Sequence, residues 1–299
     1  MRVTLLSGGT GGAKLARGLA EVSDLTVVAN SGDDAEVYGV HVAPDPDLVT
    51  YWLADEIDER GYGLRGDTWE VMEALERAAR PTWFRLGDRD LAMCLIRTEE
   101  LRAGARLTDA HARVVEAMGV ASRVLPMTDE PVPTRVLAAG RWWALQEFMI
   151  LNGAQGPVED VDLASVSSAG PTPDVLEAIA LAEAVVVGPS NPVISIGPIL
   201  ALPGMHDALV RTRAPVVAVS PFVEGRVLKG PTAAFCEHAG IERSAQGIAG
   251  AYGEVIDGVV ADEPVDGLPS LEIETLMNDV PSMRRVAEKT VDFAASLRR

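Results

Sequence analysis

The sequence is short of several residue types, and each shortage excludes a class of protein. Cys94 and Cys236 are its only cysteines, too few for a disulfide scaffold and suited to a reducing compartment. The histidines His41, His111, His206 and His238 are scattered, without the spacing of a zinc site. No stretch approaches the ~18 uninterrupted apolar residues of a membrane span. The N-terminus runs straight into a strand pattern rather than a charged region followed by a hydrophobic signal core. A cytoplasmic location with no membrane partner is therefore expected. Basic residues are outnumbered, 26 against 44 acidic ones, for a net charge of -18. Such a surface repels a phosphate backbone, so no nucleic-acid partner is expected. Among the basic residues only Lys14, Lys229 and Lys289 are lysines. There is no repeat at a fixed period and no long run of one charge.

What remains is a composition that folds. The apolar fraction of 47% is ample for a buried core, and 28 glycines and 19 prolines spread evenly over 299 residues suggest many short connections. Residues 3–7 read as a buried strand, the glycines at 8–12 as a loop, and a helix is expected from about Ala13. Residues 25–30 read as a second apolar strand. This order is the βαβ unit of a doubly wound sheet. Helical spacing follows over 45–58, and over 67–79 with Asp67 as the expected N-cap. Further helices are expected over 90–101 and 108–118, and strands over 123–127, 135–139 and 142–150. The α/β alternation resumes with a helix over 173–182, strands over 184–187, 216–219 and 255–260, and a last helix over 282–297. The expected fold is α/β: a Rossmann-like doubly wound, mostly parallel sheet in a single domain spanning 1–299. A mixed α+β subdomain is expected to be inserted over about 85–170.

Ligands of such sheets bind at the carboxyl ends of the strands, where the polar motifs cluster. Ser7-Gly8-Gly9-Thr10-Gly11-Gly12-Ala13-Lys14 follows a strand and opens a helix. Its glycines let backbone N–H groups approach an anion at the positive end of the helix dipole. It lacks the third glycine of a dinucleotide site and the Gly-Lys-Ser/Thr of a P-loop; a phosphate cradle and a tight turn are both open. Asn30-Ser31-Gly32-Asp33-Asp34 and Pro44-Asp45-Pro46-Asp47 bring four carboxylates toward one strand end, as ligands of a hard divalent cation or as ordinary helix caps and turns. Trp83-Phe84-Arg85-Leu86-Gly87-Asp88-Arg89-Asp90 fits either a fork for phosphate or carboxylate or a helix-capping salt-bridge network. Gly188-Pro189-Ser190-Asn191-Pro192 ends another apolar strand and is placed to read a nucleoside. Ser220-Pro221 and Lys229-Gly230-Pro231 could close the same cleft. Cys94, in an apolar helical stretch, reads as core.

Taken together, Ser7 to Lys14, Asn30 to Gly39, Gly87-Asp88-Arg89-Asp90 and Gly188-Pro189-Ser190-Asn191-Pro192 with Ser195-Ile196-Gly197-Pro198-Ile199 resemble the 2-phospho-L-lactate transferase family of coenzyme F-420 synthesis. The resemblance runs from residue 3 to about 280. It implies transfer of a phospholactyl or phosphoenolpyruvyl group from a guanosine-diphosphate-linked donor. The acceptor would be the 5'-hydroxyl of 7,8-didemethyl-8-hydroxy-5-deazariboflavin, with GMP released and Mg2+ spreading the diphosphate charge. It implies Asp33, Asp45 and Arg89 as catalytic residues, with Asp33 and Asp45 holding the metal. Asp47 and Arg85 would contact the deazaflavin. Gly9, Thr10, Gly11, Gly12 and Lys14 would bind phosphates, and Ser190 and Asn191 would face the nucleoside. A homodimer is expected on the same ground.

Departures from the family pattern fall at Met93 and Cys94 after Ala92, at Thr128-Asp129-Glu130-Pro131, and at Leu151 and Asn152, where basic residues are usual. These put in question which acid the donor carries. The competing readings are a nucleotide-sugar-binding regulatory protein of the same fold and an NAD(P)-dependent oxidoreductase. The missing third glycine and the charge of Asp33-Asp34 disfavour the latter.

Overall fold

The structure, a computed structural model, describes residues 1–297 apart from 224, 228 and 229, so Lys229 lies outside the described residues. The chain opens with β1 (Arg2–Ser7), α1 (Gly9–Leu19) and β2 (Asp24–Ala29), followed by a short hairpin, β3 (Ala35–Val37) and β4 (Val40–Val42). Helices α2 (Pro44–Leu53), α3 (Glu70–Arg77), α4 (Asp88–Arg102) and α5 (Leu107–Ala117) precede β5 (Arg123–Pro126), β6 (Arg135–Ala138), β7 (Arg141–Ala144), α6 (Leu145–Ile150) and β8 (Asp160–Asp162). Then come α7 (Pro173–Leu181), β9 (Ala184–Val187), α8 (Gly197–Ala201), α9 (Met205–Arg211), β10 (Val216–Val219), β11 (Phe222–Val223) and β12 (Arg226–Val227). Helices α10 (Thr232–Ala239) and α11 (Ala245–Tyr252), strands β13 (Gly258–Ala261) and β14 (Ser270–Glu272), and α12 (Val280–Ser296) complete the order.

Seven parallel strands form the central sheet in the order β14-β13-β10-β9-β1-β2-β5. The chain reverses its direction of winding between β1 and β9, which makes that junction the topological switch point of a Rossmann-like sheet. Strands β9, β10 and β13 are buried on both faces, which explains their unbroken Val/Ala runs. One face packs Leu6, Val28, Val187 and Ala218 against helices α7 to α9 and α11. The other packs Leu5, Val27, Val186 and Val217 against α1 and α12.

The middle of the chain differs from the sequence expectation in three ways. Residues 123–126 join the main sheet as its edge strand beside β2. The separate antiparallel sheet is β7-β6-β8 and includes Asp160–Asp162, which carries no strand pattern. Residues 145–150 form helix α6 rather than continuing a strand, because Leu145 and Phe148, three apart, turn to the same buried side. Of the three smaller apolar clusters, two stand above the sheet. One lies under the hairpin and α4 (Val37, Val42, Met72, Leu86, Cys94), the other under β6 and α6 (Val136, Leu145, Phe148, Ile194). Among the described residues no helix is long and apolar enough to cross a membrane.

Candidate active site

The glycine segment is helical earlier than its composition suggests. Gly8 is extended and Gly9 has φ +63, a left-handed angle that favours glycine; α1 starts at Gly9, not near Ala13. Gly11 and Gly12 serve close approach across the switch point. A Cβ on Gly11 would stand 1.9 Å from the carbonyl oxygen of Pro189, and the Gly12 N–H donates to Ser190 Oγ at 3.2 Å. The crevice between β1 and β9 is thus filled by one loop lying on the other. The open cleft is displaced to the β1–β2 side, above the ends of those strands.

Two aspartates meet there, Asp33 from the loop after β2 and Asp45 from the first turn of α2. Pro44 starts α2 and sets Asp45 against the first turn of α1, where the Gly9 N–H donates to Asp45 Oδ1 at 2.5 Å. Asn30 at the end of β2 donates its Nδ2 to Asp45 Oδ2 at 2.9 Å. Asp33 accepts from Gln146 Nε2 of α6 at 2.9 Å through Oδ2, while its Oδ1 is buried without a partner. Burial first, then repulsion from Asp45 and Asp34, holds Asp33 well above the usual carboxylate range. Burial raises Asp45 to about 6, against the lowering hydrogen bonds from Asn30 and Gly9. Asp34, with both oxygens buried without a hydrogen bond and His41 Nε2 3.7 Å from Oδ2, is likewise raised by burial. Buried, mutually repelling carboxylates with an orphaned oxygen have the donor set of a hard divalent cation.

Asp47, one helical step further, faces the other way. Both its oxygens are held by Arg97 of α4, at 2.6 Å from Nη1 and 2.8 Å from Nη2. The guanidinium is fully buried. It also donates through Nη2 to the His41 carbonyl at 2.8 Å and through Nε to His41 Nδ1 at 3.2 Å. His111 of α5 completes the layer, 3.2 Å from Thr50 Oγ1. Burial works to lower the Arg97 pKa, but the charge of Asp47 and its hydrogen bonds more than offset it and raise it. Arg97, His41 and His111 escape a reading of motifs. The available signal was an arginine directly after the apolar run Met93-Cys94-Leu95-Ile96 and the helical spacing of Asp90, Cys94 and Arg97.

Asp47, Asp90 and Cys94 place ligand atoms within 4.8 Å of one another. The Arg97 charge already neutralises Asp47, and burial keeps the Cys94 thiol protonated, so this cluster shares hydrogen bonds rather than seating a metal. Asp90 accepts from Tyr51 Oη at 2.7 Å. Burial, followed by repulsion from Asp47, raises its carboxyl to about 7.

These groups open onto one cleft of about 660 Å³. Its walls carry Tyr51, Tyr62, Trp69, Trp83 and Phe84, and Asp33, Asp45, Asp47, Arg85 and Gly9 also line it. Arg85 lies over the Trp69 ring at 5.3 Å, with Arg60 over the same ring at 5.4 Å. The remaining expected site residues do not face this cleft. Arg89 points away from it, donating to the Arg65 carbonyl at 2.8 Å and pairing with Glu56 at 3.2 Å. Lys14 donates to the Met277 carbonyl at 2.8 Å. Ser190 is occupied by Gly12, and Asn191 Oδ1 accepts the N–H groups of Val193 and Ile194 in its own turn. Gly11 and Gly12 line the switch-point contact and Thr10 is not among the residues that line the cleft, leaving Gly9 and Ser195 there.

The departures from the family pattern also fall outside it. Asp129 accepts the Thr108 N–H at 2.8 Å as a cap of α5. Met93 packs beside Tyr51, Ile57 and Leu64. Leu151 is 54% exposed, and Asn152 accepts the Gln155 N–H in a turn.

Comparison with known proteins identifies the family. The family model described as 2-phospho-L-lactate transferase CofD matches residues 3–278. A 2-phospho-L-lactate transferase of Methanosarcina mazei is 37% identical, covering 96% of this chain and 98% of its own. A phosphoenolpyruvate transferase of Kitasatospora aureofaciens is 35% identical, covering 100% and 99%. Among solved structures, protein BH3568 from Bacillus halodurans superposes with a TM-score of 0.63 at 16% identity, covering 97% of this chain and 99% of that one; at that identity the likeness is one of fold. The chain belongs to the 2-phospho-L-lactate transferase family, CofD.

Proposed function

We propose that this transferase moves a phospholactyl or phosphoenolpyruvyl group from a guanosine-diphosphate-linked donor to the terminal hydroxyl of a deazaflavin, releasing GMP. The observation that carries this reading is the meeting of Asp33, from the loop after β2, and Asp45, from the first turn of α2, at an aromatic-walled cleft. A flat heteroaromatic acceptor stacks on such walls. The cleft's 660 Å³ is in the range of a drug-sized ligand site. Asp33 and Asp45 fit Mg2+, since both are buried, both are raised by burial, and Asp33 keeps a free oxygen. When bound there, the ion supplies charge neutralisation on the donor's phosphates.

The chain's own groups do the rest. Asn30 and Gly9 orient Asp45, and Gln146 orients Asp33. The α1 N-terminus adds its positive dipole end where the phosphates would lie. The aromatic walls exclude water, which favours transfer to the acceptor over hydrolysis. Relatives named for both acids match at nearly equal identity. The residues that depart from the family pattern point elsewhere, so the donor's acid is assigned only as this pair.

A fluorescence titration of the deazaflavin with and without Mg2+ tests the reading, followed by mass spectrometry of products from lactyl, enolpyruvyl and glyceryl guanosine diphosphate donors. Saturable binding and a phosphodiester product with one of the first two donors are expected. Absence of flavin binding in the presence of Mg2+ overturns it.

A further inference from the structure

A hydroxyl that attacks phosphorus must lose a proton, and a positioned base speeds that loss. The groups that could accept it can be separated by what already occupies them. Five carboxylates line the cleft: Asp33, Asp45, Asp47, Asp67 and Asp90; no histidine, lysine or glutamate does among the described residues. Asp33 and Asp45 are the proposed metal pair. Asp47 is forked onto Arg97 through both oxygens. Asp67 is taken up by backbone N–H groups, with Oδ1 accepting from Thr68 and Arg89 at 2.8 Å and Oδ2 from Asp90 at 3.1 Å. Outside the proposed metal pair, Asp90 alone keeps an oxygen uncommitted. Its Oδ1 accepts from Tyr51 Oη at 2.7 Å, and its Oδ2 carries no hydrogen bond among the described residues.

We propose that Asp90 is the general base of the transfer, taking the proton of the acceptor hydroxyl on Oδ2 while Tyr51 fixes the carboxylate through Oδ1. The proposal rests on the transferase reading above. The bookkeeping of the step is complete: the hydroxyl O–H bond breaks to Asp90 as the oxygen bonds to phosphorus. The phosphorus–oxygen bond to the guanylyl group breaks, GMP leaves with that electron pair, and Asp90 returns its proton to solvent.

The surroundings suit the task. Tyr51 and Asp47 face Asp90 from α2, Asp67 from the segment before α3, and Cys94 and Arg97 from one turn and two turns further along α4. Burial and the charges of Asp47 and Asp67 raise the carboxyl, while the Tyr51 hydrogen bond and Arg97 lower it, leaving it at about 7. A base with that affinity is half ionised near neutral pH, where proton acceptance is most effective.

The test is the pH dependence of turnover with Mg2+ in the wild type, Asp90→Asn and Tyr51→Phe, each checked for a native thermal transition. In the wild type the rate is expected to rise through about pH 7 to a plateau. Asp90→Asn keeps the Tyr51 hydrogen bond. It should lower kcat on the plateau about 100-fold or more, leave the acceptor KM within a few-fold, and remove the acidic limb. Tyr51→Phe removes a bond that lowers Asp90, so the limb should move to higher pH. A structural role for either residue would shift KM or stability without moving that limb. Wild-type turnover with Asp90→Asn within about threefold, or with its limb intact, overturns the proposal and leaves the transferase reading standing. An unmoved limb in Tyr51→Phe does the same. A wild type that transfers nothing from any of the donors overturns both.

Discussion

Asp67 and Asp88 cap each other's helices. Asp67 precedes α3 but accepts the Arg89 and Asp90 N–H groups at the start of α4. Asp88 opens α4 but accepts the Glu70 and Val71 N–H groups at the start of α3, at 2.9 and 3.0 Å. Gly87 makes the exchange fit, since a Cβ there would stand 2.1 Å from Asp67 Oδ2. The crossed caps join two helix starts and fix the backbone that carries Asp90 into the cleft.

Asp67→Ala should therefore destabilise the fold by about 1 kcal/mol, the usual cost of a lost N-cap, and weaken flavin binding at the same time. Asp67→Asn, which can still accept one of the N–H groups, should lose less of both. Urea denaturation and fluorescence titration on the same samples check this; equal losses in the two variants would show that the caps are not what Asp67 supplies.

The Arg97–Asp47 pair sits below the cleft floor with the guanidinium fully buried. Arg97→Met leaves a buried carboxylate without its cation, and a loss of about 3–5 kcal/mol is expected. Replacing both partners, Arg97→Met with Asp47→Leu, should recover at least half of that loss because no unpaired charge remains. Chemical denaturation of the three proteins decides between this pairing and two independent contributions.

His111 makes the fold sensitive to acid. Burial lowers its pKa from the ordinary 6.5 to about 3, so the unfolded chain takes up the proton first. Its stabilising share is complete above pH 6.5 and is lost as the pH falls toward 3, at up to about 1.4 kcal/mol per pH unit. His111→Gln should flatten the dependence of unfolding free energy on pH between 6 and 4. The wild-type minus variant difference isolates this group from the carboxylates, and identical slopes would refute it.

Gly11→Ala should cost about 1–3 kcal/mol through overpacking, because the added Cβ meets the Pro189 carbonyl at 1.9 Å and both partners are backbone. Were the glycine only part of an open phosphate cradle, ligand affinity would fall with little change in the thermal midpoint. Differential scanning calorimetry of the ligand-free variant separates the two.

Much of the sheet was legible locally. The Val/Ala runs of β9 and β10 and the order strand, glycines, helix at the N-terminus carry their own period and flanking turns, and the structure places them where that period requires. The pairing of Asp33 with Asp45 came from the family resemblance rather than from spacing, since one lies in the loop after β2 and the other in the first turn of α2. Residues 145–150 could not be read, since Trp142 to Ile150 is apolar enough for strand or helix, and only the pocket that receives Leu145 and Phe148 selects the helix.

The sequence by itself determined the sheet class, which follows from periodicity, and the family, which follows from motifs close along the chain, and the resemblance in turn pointed to the aspartates of the cleft. Tertiary structure alone decided which charges are spent on the protein. Arg89 binds a carbonyl and Glu56, Lys14 binds Met277, and Asp47 is claimed by an arginine 50 positions away. The glycine segment likewise closes the switch point rather than opening it. A side chain's charge is fixed by its type, but its availability depends on partners brought together only when the helices pack. By that measure Asp90 keeps an oxygen for the acceptor's hydroxyl, while its neighbours in the same motif hold helices and loops in place.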